Sequence, residues 1–356
     1  MLDVPEIGRL SDKAEDRNNL DCSHVAHSLP TPMLRLLCLL LLVPTIACAE
    51  GKFIVTVLNI PDIQRGAGLA VVLQTPSGKT WLYDTGSAYP EKLSSDGWQA
   101  NFNAARDLIM PFLKKNGISS IDGVMISHAH YDHFGGLMWL ADNVSIPRLI
   151  DSGFLFTGQA TPNYRVELDD YTKLRESFKK RGAYLEAHTG DKLNLDPDLD
   201  VEVLAPPKTF FSEPHPETRP KNDPPAHYLV NANSLAIRIR HGDIIFYFPG
   251  DIQSEDINQS LLPSVDPKKL KCHILIAPGH GIHCTKEFAE ATHPEVSIAS
   301  VFPRYARGLK STPLLKAVGT KTYITGLNGQ VQVISDGKKY SVTAEHEAEA
   351  EASTKK

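Results

Sequence analysis

The sequence predicts a layered α/β domain whose functional site is built from loops at strand ends. Two observations carry this expectation. Short β-rich runs and helical patterns interleave from about residue 53 to residue 335. Histidines and aspartates also recur immediately after apolar strands, where loops on a rigid scaffold commonly hold functional groups. A chain of 356 residues, 42% hydrophobic and 22% charged, can bury a sizeable core as one large domain or two small ones. The formal net charge of −5 points to no polyanionic or membrane partner by itself. Much of the acid sits at the ends, in Asp3, Glu6, Asp12, Glu15 and Asp16 and in Glu345 to Glu351.

Along the chain, residues 33–49 have the parts of a secretory signal peptide. Met33 and Arg35 open it, an apolar run follows from Leu36 to Val43, and Ala47-Cys48-Ala49 supplies a small-residue cleavage site. The run is too short to span a bilayer, so no transmembrane domain is expected. Because an export signal must lie at the N-terminus, residues 1–32 are expected to be an over-extended start. The mature protein would be periplasmic or secreted. Lipoprotein anchoring through Cys48 is the weaker alternative, since Thr45 departs from the usual Leu. A buried hydrophobic helix is the other reading of the run. Cleavage leaves only Cys272 and Cys284, whose positions around one predicted strand disfavour a disulfide.

The expected domain covers residues 50–342, with a disordered Ala/Glu-rich tail over 343–356. Phe53 to Leu58, Leu69 to Thr75 and Trp81 to Tyr83 read as strands, the last two joined by the turn Pro76-Ser77-Gly78-Lys79. A helix is predicted from about Asn103 to Asn116, closed by Gly117, and a buried strand from Gly123 to Ser127. Gly135 to Leu140 reads as the start of another helix. The middle, about 151–230, is less regular, with one helix over Val166 to Lys180 and a Pro-rich stretch from Pro206 to Pro225. Strands resume at Ser234 to Ile239 and Ile244 to Phe248, joined by His241-Gly242-Asp243. His273 to Ala277 and Val296 to Val301 follow. Tyr323 to Thr325 and Gln330 to Ile334 are expected to form a terminal hairpin.

The chemistry is concentrated in His128-Ala129-His130-Tyr131-Asp132-His133. In an extended segment residues i and i+2 point the same way, so His128 and His130 can hold one ion together. Where the chain turns into a helix, Asp132 and His133 can swing toward a second. Imidazole and carboxylate ligands suit zinc, manganese or iron. Asp251 and His280 each follow a buried apolar strand, and a carboxylate at Asp251 can bridge two ions.

These residues resemble the metallo-β-lactamase superfamily. His128, His130, Asp132 and His133 match its His-x-His-x-Asp-His motif, Asp84 in Asp84-Thr85-Gly86 its Asp-Thr-Gly motif that supports the ligands from behind, Asp251 its bridging Asp and His280 its late His. The resemblance implies a four-layer αβ/βα sandwich. It also implies a third His on the first ion, and at that position this sequence has Asn231, in Asn231-Ala232-Asn233-Ser234-Leu235. A similar Asn-x-x-Ser-Leu occurs in the hydrolase domain of ComEC competence DNA-uptake channels. Gln74-Thr75-Pro76-Ser77-Gly78, Pro278-Gly279-His280-Gly281 and Gly326-Leu327-Asn328-Gly329-Gln330-Val331 are similar to that subgroup too. The chain is therefore expected to be a free-standing, exported, ComEC-like hydrolase.

The reaction expected is hydrolysis by a metal-bound hydroxide, with Asp132 and Asp251 as the catalytic carboxylates and Asp84 hydrogen-bonded to a ligand histidine or its loop. The resemblance favours a phosphodiester substrate, nucleic acid included. Arg304, Arg307, Lys310 and Lys316, or Lys268, Lys269 and Lys271, offer phosphate contacts, although a solvated surface explains either group as well. Hydrolysis of a small ester, lactone or β-lactam, and a non-catalytic metal-stabilised binding domain, are the competing expectations. His227 is a candidate replacement for the missing His, and His283 and Cys284 for minor roles near His280.

Overall fold

The strand Ala70–Gln74 shows why this chain builds layers. Its alternate residues Val71 and Leu73 enter one core, whereas Ala70 and Val72 enter another. A strand apolar on both faces must be covered on both. The computed structural model describes residues 51–61, 68–89, 101–212 and 224–346, all within the unit spanning residues 45–356. The expected N-terminal segments 1–32 and 33–49, much of the Pro-rich stretch and most of the tail lie outside the described residues.

In chain order the elements are β1 (Phe53–Val57), β2 (Ala70–Gln74), β3 (Thr80–Thr85), α1 (Met110–Lys115), β4 (Gly123–Met125), α2 (Tyr131–Asn143), β5 (Leu149–Asp151), α3 (Pro162–Lys180) and β6 (Tyr184–Glu186). They continue with β7 (Lys192–Leu193), β8 (Leu199–Ala205), α4 (Pro225–Ala232), β9 (Ala236–His241), β10 (Ile244–Phe248), β11 (Ile274–Ile276), β12 (Val296–Ala299), β13 (Lys321–Ile324), β14 (Val331–Ser335) and β15 (Tyr340–Ala344). Shorter helical turns lie between the later strands. One sheet runs β15-β14-β1-β2-β3-β4-β5-β6 and the other β13-β12-β11-β10-β9-β8-β7. Both are mixed. β3 to β6 pair in parallel, as do β10 to β13.

Three cores separate four layers. Val55, Leu73, Tyr83, Ile237, Phe246 and Ile274 fill the space between the sheets. Val72, Leu82, Phe134, Leu137 and Leu168 join the first sheet to α1, α2 and α3. Tyr247, Leu275, Leu261 and Phe288 join the second sheet to its own outer helices. The fold is a four-layer αβ/βα sandwich, the architecture that the sequence resemblance implies.

The structure corrects several sequence expectations. β13 and β14 are not a hairpin: the helical turn Thr325–Asn328 carries the chain across, so β13 lies parallel to β12 while β14 pairs with β1 and β15. The middle holds more regular structure than expected, namely β6, β7, β8 and α4. Pro225 does not prevent α4, because it stands in the first turn, where a missing N–H costs nothing. α2 begins at Tyr131 rather than Gly135, so Asp132 and His133 are helical residues. α3 begins at Pro162, four residues early, behind an N-cap at Thr161. β15 runs to Ala344, two residues past the expected domain edge. Cys272 and Cys284 are free and buried.

Candidate metal centre

Strand ends from both sheets converge at one edge of the inter-sheet core. β3 delivers Asp84, β4 delivers Ser127 and His128, β10 delivers Asp251, and β11 delivers His280. Cross-sheet hydrogen bonds lock the edge: Leu235 N donates to Ser127 O at 2.7 Å and the Tyr83 hydroxyl to Leu235 O at 2.8 Å. The glycine after β10 permits close approach. Gly250 has φ 66°, and a Cβ there would lie 2.6 Å from Ser234 Cβ.

Four ligand atoms crowd one point. His133 Nε2 is 3.2 Å from His280 Nε2 and 3.3 Å from Asp251 Oδ2. His280 Nε2 is 3.2 Å from Asp251 Oδ2 and 3.6 Å from Asp132 Oδ2. Among the described residues, two groups are close enough to hold a metal ion, His128–His133–Asp251 and Asp132–His133–His280. His130 belongs to neither, although sequence paired it with His128. Its Nε2, the Nε2 of His128 and the Oδ1 of Asn231 are buried without a hydrogen-bond partner among the described residues. Such orphaned atoms are costly unless something accepts their lone pairs. A cation would do so, and the residues present therefore fit the metal that the motifs imply.

Electrostatics agree. Burial opposes charge on His280, but Asp251 and Asp132 override it and hold the imidazole up at about 9. His133 is raised well above its ordinary value against burial, chiefly by Asp251, Asp84 and Asp132. Burial likewise opposes the charge on Asp132, yet His133 and His280 bring it down to about 2. Asp251 is lowered in the same way by His280 and His133. Burial and neighbouring histidines push His128 and His130 well down, leaving them neutral and able to ligate.

Beneath the ligands lies an orienting network. Asp84 Oδ1 accepts from Ser127 N at 2.7 Å, and Oδ2 accepts from Ser127 Oγ at 2.7 Å and from His133 Nδ1 at 2.7 Å. Ser127 Oγ also lies 2.8 Å from His128 Nδ1. With its hydroxyl proton on Asp84, Ser127 Oγ accepts from His128 Nδ1–H, so one carboxylate fixes the tautomers of two ligands and turns both Nε2 atoms outward. His280 is set by its own donor, Nδ1–H to Ser300 O at 3.0 Å. Asp84 and His280 are two of the three described non-glycine residues with positive φ, at 56° and 58°. Each costs about 1–3 kcal/mol, strain that characteristically gathers at functional sites.

Sequence reasoning missed Ser127 and Thr85. Thr85 Oγ1 donates to His133 O at 2.9 Å and accepts from Leu137 N at 2.9 Å, inserting itself into the hydrogen-bond ladder of α2. The Asp-Thr-Gly motif was the available signal.

Above the ligands opens a cavity of about 460 Å³. His130, Asp132, Asn231, Asp251 and His280 form its floor, and Tyr89, Tyr164, Tyr305, His227 and Ile282 part of its walls. His227 stacks on His130 with ring centroids 5.1 Å apart. His283 lines the cavity, whereas Cys284 is packed in the outer core of the second sheet. Of the basic candidates, Arg304 lies 4.9 Å over the Tyr305 ring at the rim, and Lys269 instead pairs with Glu202.

Comparison with known proteins finds the following similarities. The chain is 26% identical over 280 residues to ComE operon protein 3 of Bacillus subtilis (strain 168), covering 76% of this chain and 32% of that protein. It is 40% identical over 72 residues to the uncharacterized protein YcaI of Escherichia coli (strain K12), 20% of this chain and 8% of that one. The chain thus spans a third or less of the length of these relatives. Among solved structures, the metallo-beta-lactamase fold protein YhfI from Bacillus subtilis is 13% identical with a TM-score of 0.41, covering 76% of this chain and 96% of that one. Residues 63–205, which include β2 to β8 and the His-rich segment, match the description Metallo-beta-lactamase superfamily. Residues 63–205 are thus similar to the metallo-beta-lactamase superfamily, and the chain is similar in sequence to ComE operon protein 3 of Bacillus subtilis.

Proposed function

We propose that this chain is a hydrolase that holds two divalent ions, zinc or manganese, and cleaves phosphodiesters, nucleic acid among them. The observation that carries the reading is a crowded acid–histidine cluster beside three orphaned donor atoms. Asp132, His133 and His280 would hold one ion, and His128, His130 and Asn231 the other. Asp251, in contact with both His133 and His280, would serve the two. When bound, such a pair of ions lowers the pKa of water toward neutrality and stabilises charge developing on the electrophile.

The chain's own residues do the rest. Asp132 and Asp251, ionised at neutral pH, balance the added charge and orient the attacking water. Asp84, Ser127 and Ser300 hold the imidazoles in one tautomer. Tyr89, Tyr164, Tyr305 and His227 wall the cavity with rings, and Arg304 beside Tyr305 supplies a cation for a phosphate at the rim. The resemblance of Asn231-Ala232-Asn233-Ser234-Leu235 to the hydrolase domain of ComEC channels supports the phosphodiester assignment. One observation favours a neutral ester, lactone or β-lactam instead: among the described residues no Lys or Arg lines the cavity itself. We also propose export directed by residues 33–49. Among the described residues, no helix is long and apolar enough to cross a membrane.

The deciding assay uses metal-loaded, chelated and Asp132→Ala protein on bis-nitrophenyl phosphate, DNA, nitrocefin and a lactone. Phosphodiester turnover that disappears on chelation and in Asp132→Ala supports the proposal. Turnover of nitrocefin or lactone alone moves the assignment to the neutral substrates, and full metal loading without turnover rejects an enzyme.

A further inference from the structure

α2 opens in an unusual way for a helix that carries two metal ligands. Its N-cap residue is His130, whose side chain makes no capping hydrogen bond. The first N–H groups of any helix need acceptors from outside the helical ladder. Here the acceptor comes from another helix: Tyr131 N donates to the carboxylate of Glu167 on α3, 36 residues away. One turn further along the same face of α3, Asp170 Oδ2 accepts from the Tyr131 hydroxyl at 2.6 Å. Glu167 is buried, and it forms part of the cavity wall. A carboxylate against a helix N-terminus is favoured both as an ionic acceptor and by the helix dipole.

We propose that Glu167 and Asp170 are positioning residues that cap and clamp the start of α2 from α3, and so set the geometry of Asp132 and His133 at the metal centre. Tyr131 is the grip, holding one acid with its backbone and the other with its ring. The inference rests on the metal-site reading above.

The test is cobalt affinity, by competition with a chromophoric chelator, together with the visible absorption of the bound cobalt. Wild type, Glu167→Ala, Glu167→Gln and, as a control on the solvent side of α3, Asp169→Ala are compared. Glu167→Ala is expected to weaken binding about tenfold and alter the cobalt spectrum, as loss of a supporting partner does. Glu167→Gln, which keeps the acceptor, is expected to recover most of the affinity, and Asp169→Ala to match wild type. Unchanged affinity and spectrum in Glu167→Ala overturn the proposal, as does a Gln variant no better than Ala. Should Glu167→Ala not fold, Tyr131→Phe removes the Asp170 arm alone; an altered spectrum supports the clamp and an unaltered one overturns it. Wild type that binds no cobalt would instead reject the metal-site reading on which the inference stands.

Discussion

Replacing Asp84 by Asn isolates the orienting network from the ligands themselves. Asn keeps the shape of Asp and tolerates the left-handed backbone that Asp84 adopts at φ 56°, so backbone strain is unchanged. Its Oδ1 can still accept from Ser127 N. Its Nδ2, however, replaces the oxygen that now accepts from Ser127 Oγ and His133 Nδ1, both at 2.7 Å. A donor then faces two donors. To ligate, His133 must lose a proton and keep the remaining one on Nδ1, but the Asn amide favours the tautomer protonated at Nε2, the atom 3.2 Å from His280 Nε2 at the centre of the cluster. That proton occupies the position a metal needs. Loss of an orienting partner of this kind costs about 10–100-fold in metal affinity, or about 1.4–2.7 kcal/mol. Chelator competition with zinc on wild-type and Asp84→Asn protein measures it, with circular dichroism as the check on folding. Wild-type affinity in a folded Asp84→Asn variant would refute the tautomer argument.

Metal uptake should depend on pH, because His280 is held at about 9 and must give up its proton to ligate. Apparent affinity is expected to rise about tenfold per pH unit between 7 and 9 from this group, with proton release detected by calorimetry in buffers of differing ionisation enthalpy. For metal-free protein the same group sets the sign of stability. Its folded pKa lies above the ordinary 6.5, so its contribution is full below that pH and lost as pH rises through about 9. Asp132 acts oppositely: its contribution is present above the ordinary 3.8 and is lost as pH falls through about 2. Thermal melts of chelated protein are therefore expected to fall between pH 7 and 9, and a rise there would contradict the assignment. Ser127→Ala removes a hydrogen bond to a buried carboxylate and should cost about 1.5–3 kcal/mol in denaturant unfolding, with weaker metal binding at His128. Gly136→Ala places a Cβ 2.2 Å from Thr85 O, and overpacking α2 against that strand end should cost about 1–3 kcal/mol by the same method.

Most of the candidate cluster was legible in the sequence because the His128–His133 segment, Asp251 and His280 each follow an apolar strand whose pattern is local. Asp251 after Ile244–Phe248 and His280 after Ile274–Ile276 are cases in which a few neighbouring residues identify both the strand and its end. What could not be read depended on distant partners. Glu167 looks like any acid on an amphipathic helix until the fold brings Tyr131 to it. Ser127 is one serine before a histidine, and only the turn at Asp84 gives it a role. α4 was hidden by Pro224 and Pro225, which read as a break although the second of them suits a helix start. The pairing of β13 and β14 failed for a related reason. Two short strands with a brief connection suggest a hairpin, and nothing local reveals that the connection crosses from one sheet to the other.

The central claim is that two ions sit side by side on this ligand set, and anomalous diffraction from crystals grown with manganese or zinc tests it most directly. Two anomalous peaks are predicted, one among Asp132, His133, His280 and Asp251, the other among His128, His130 and Asn231. A single peak, or peaks away from these side chains in fully loaded protein, would contradict it.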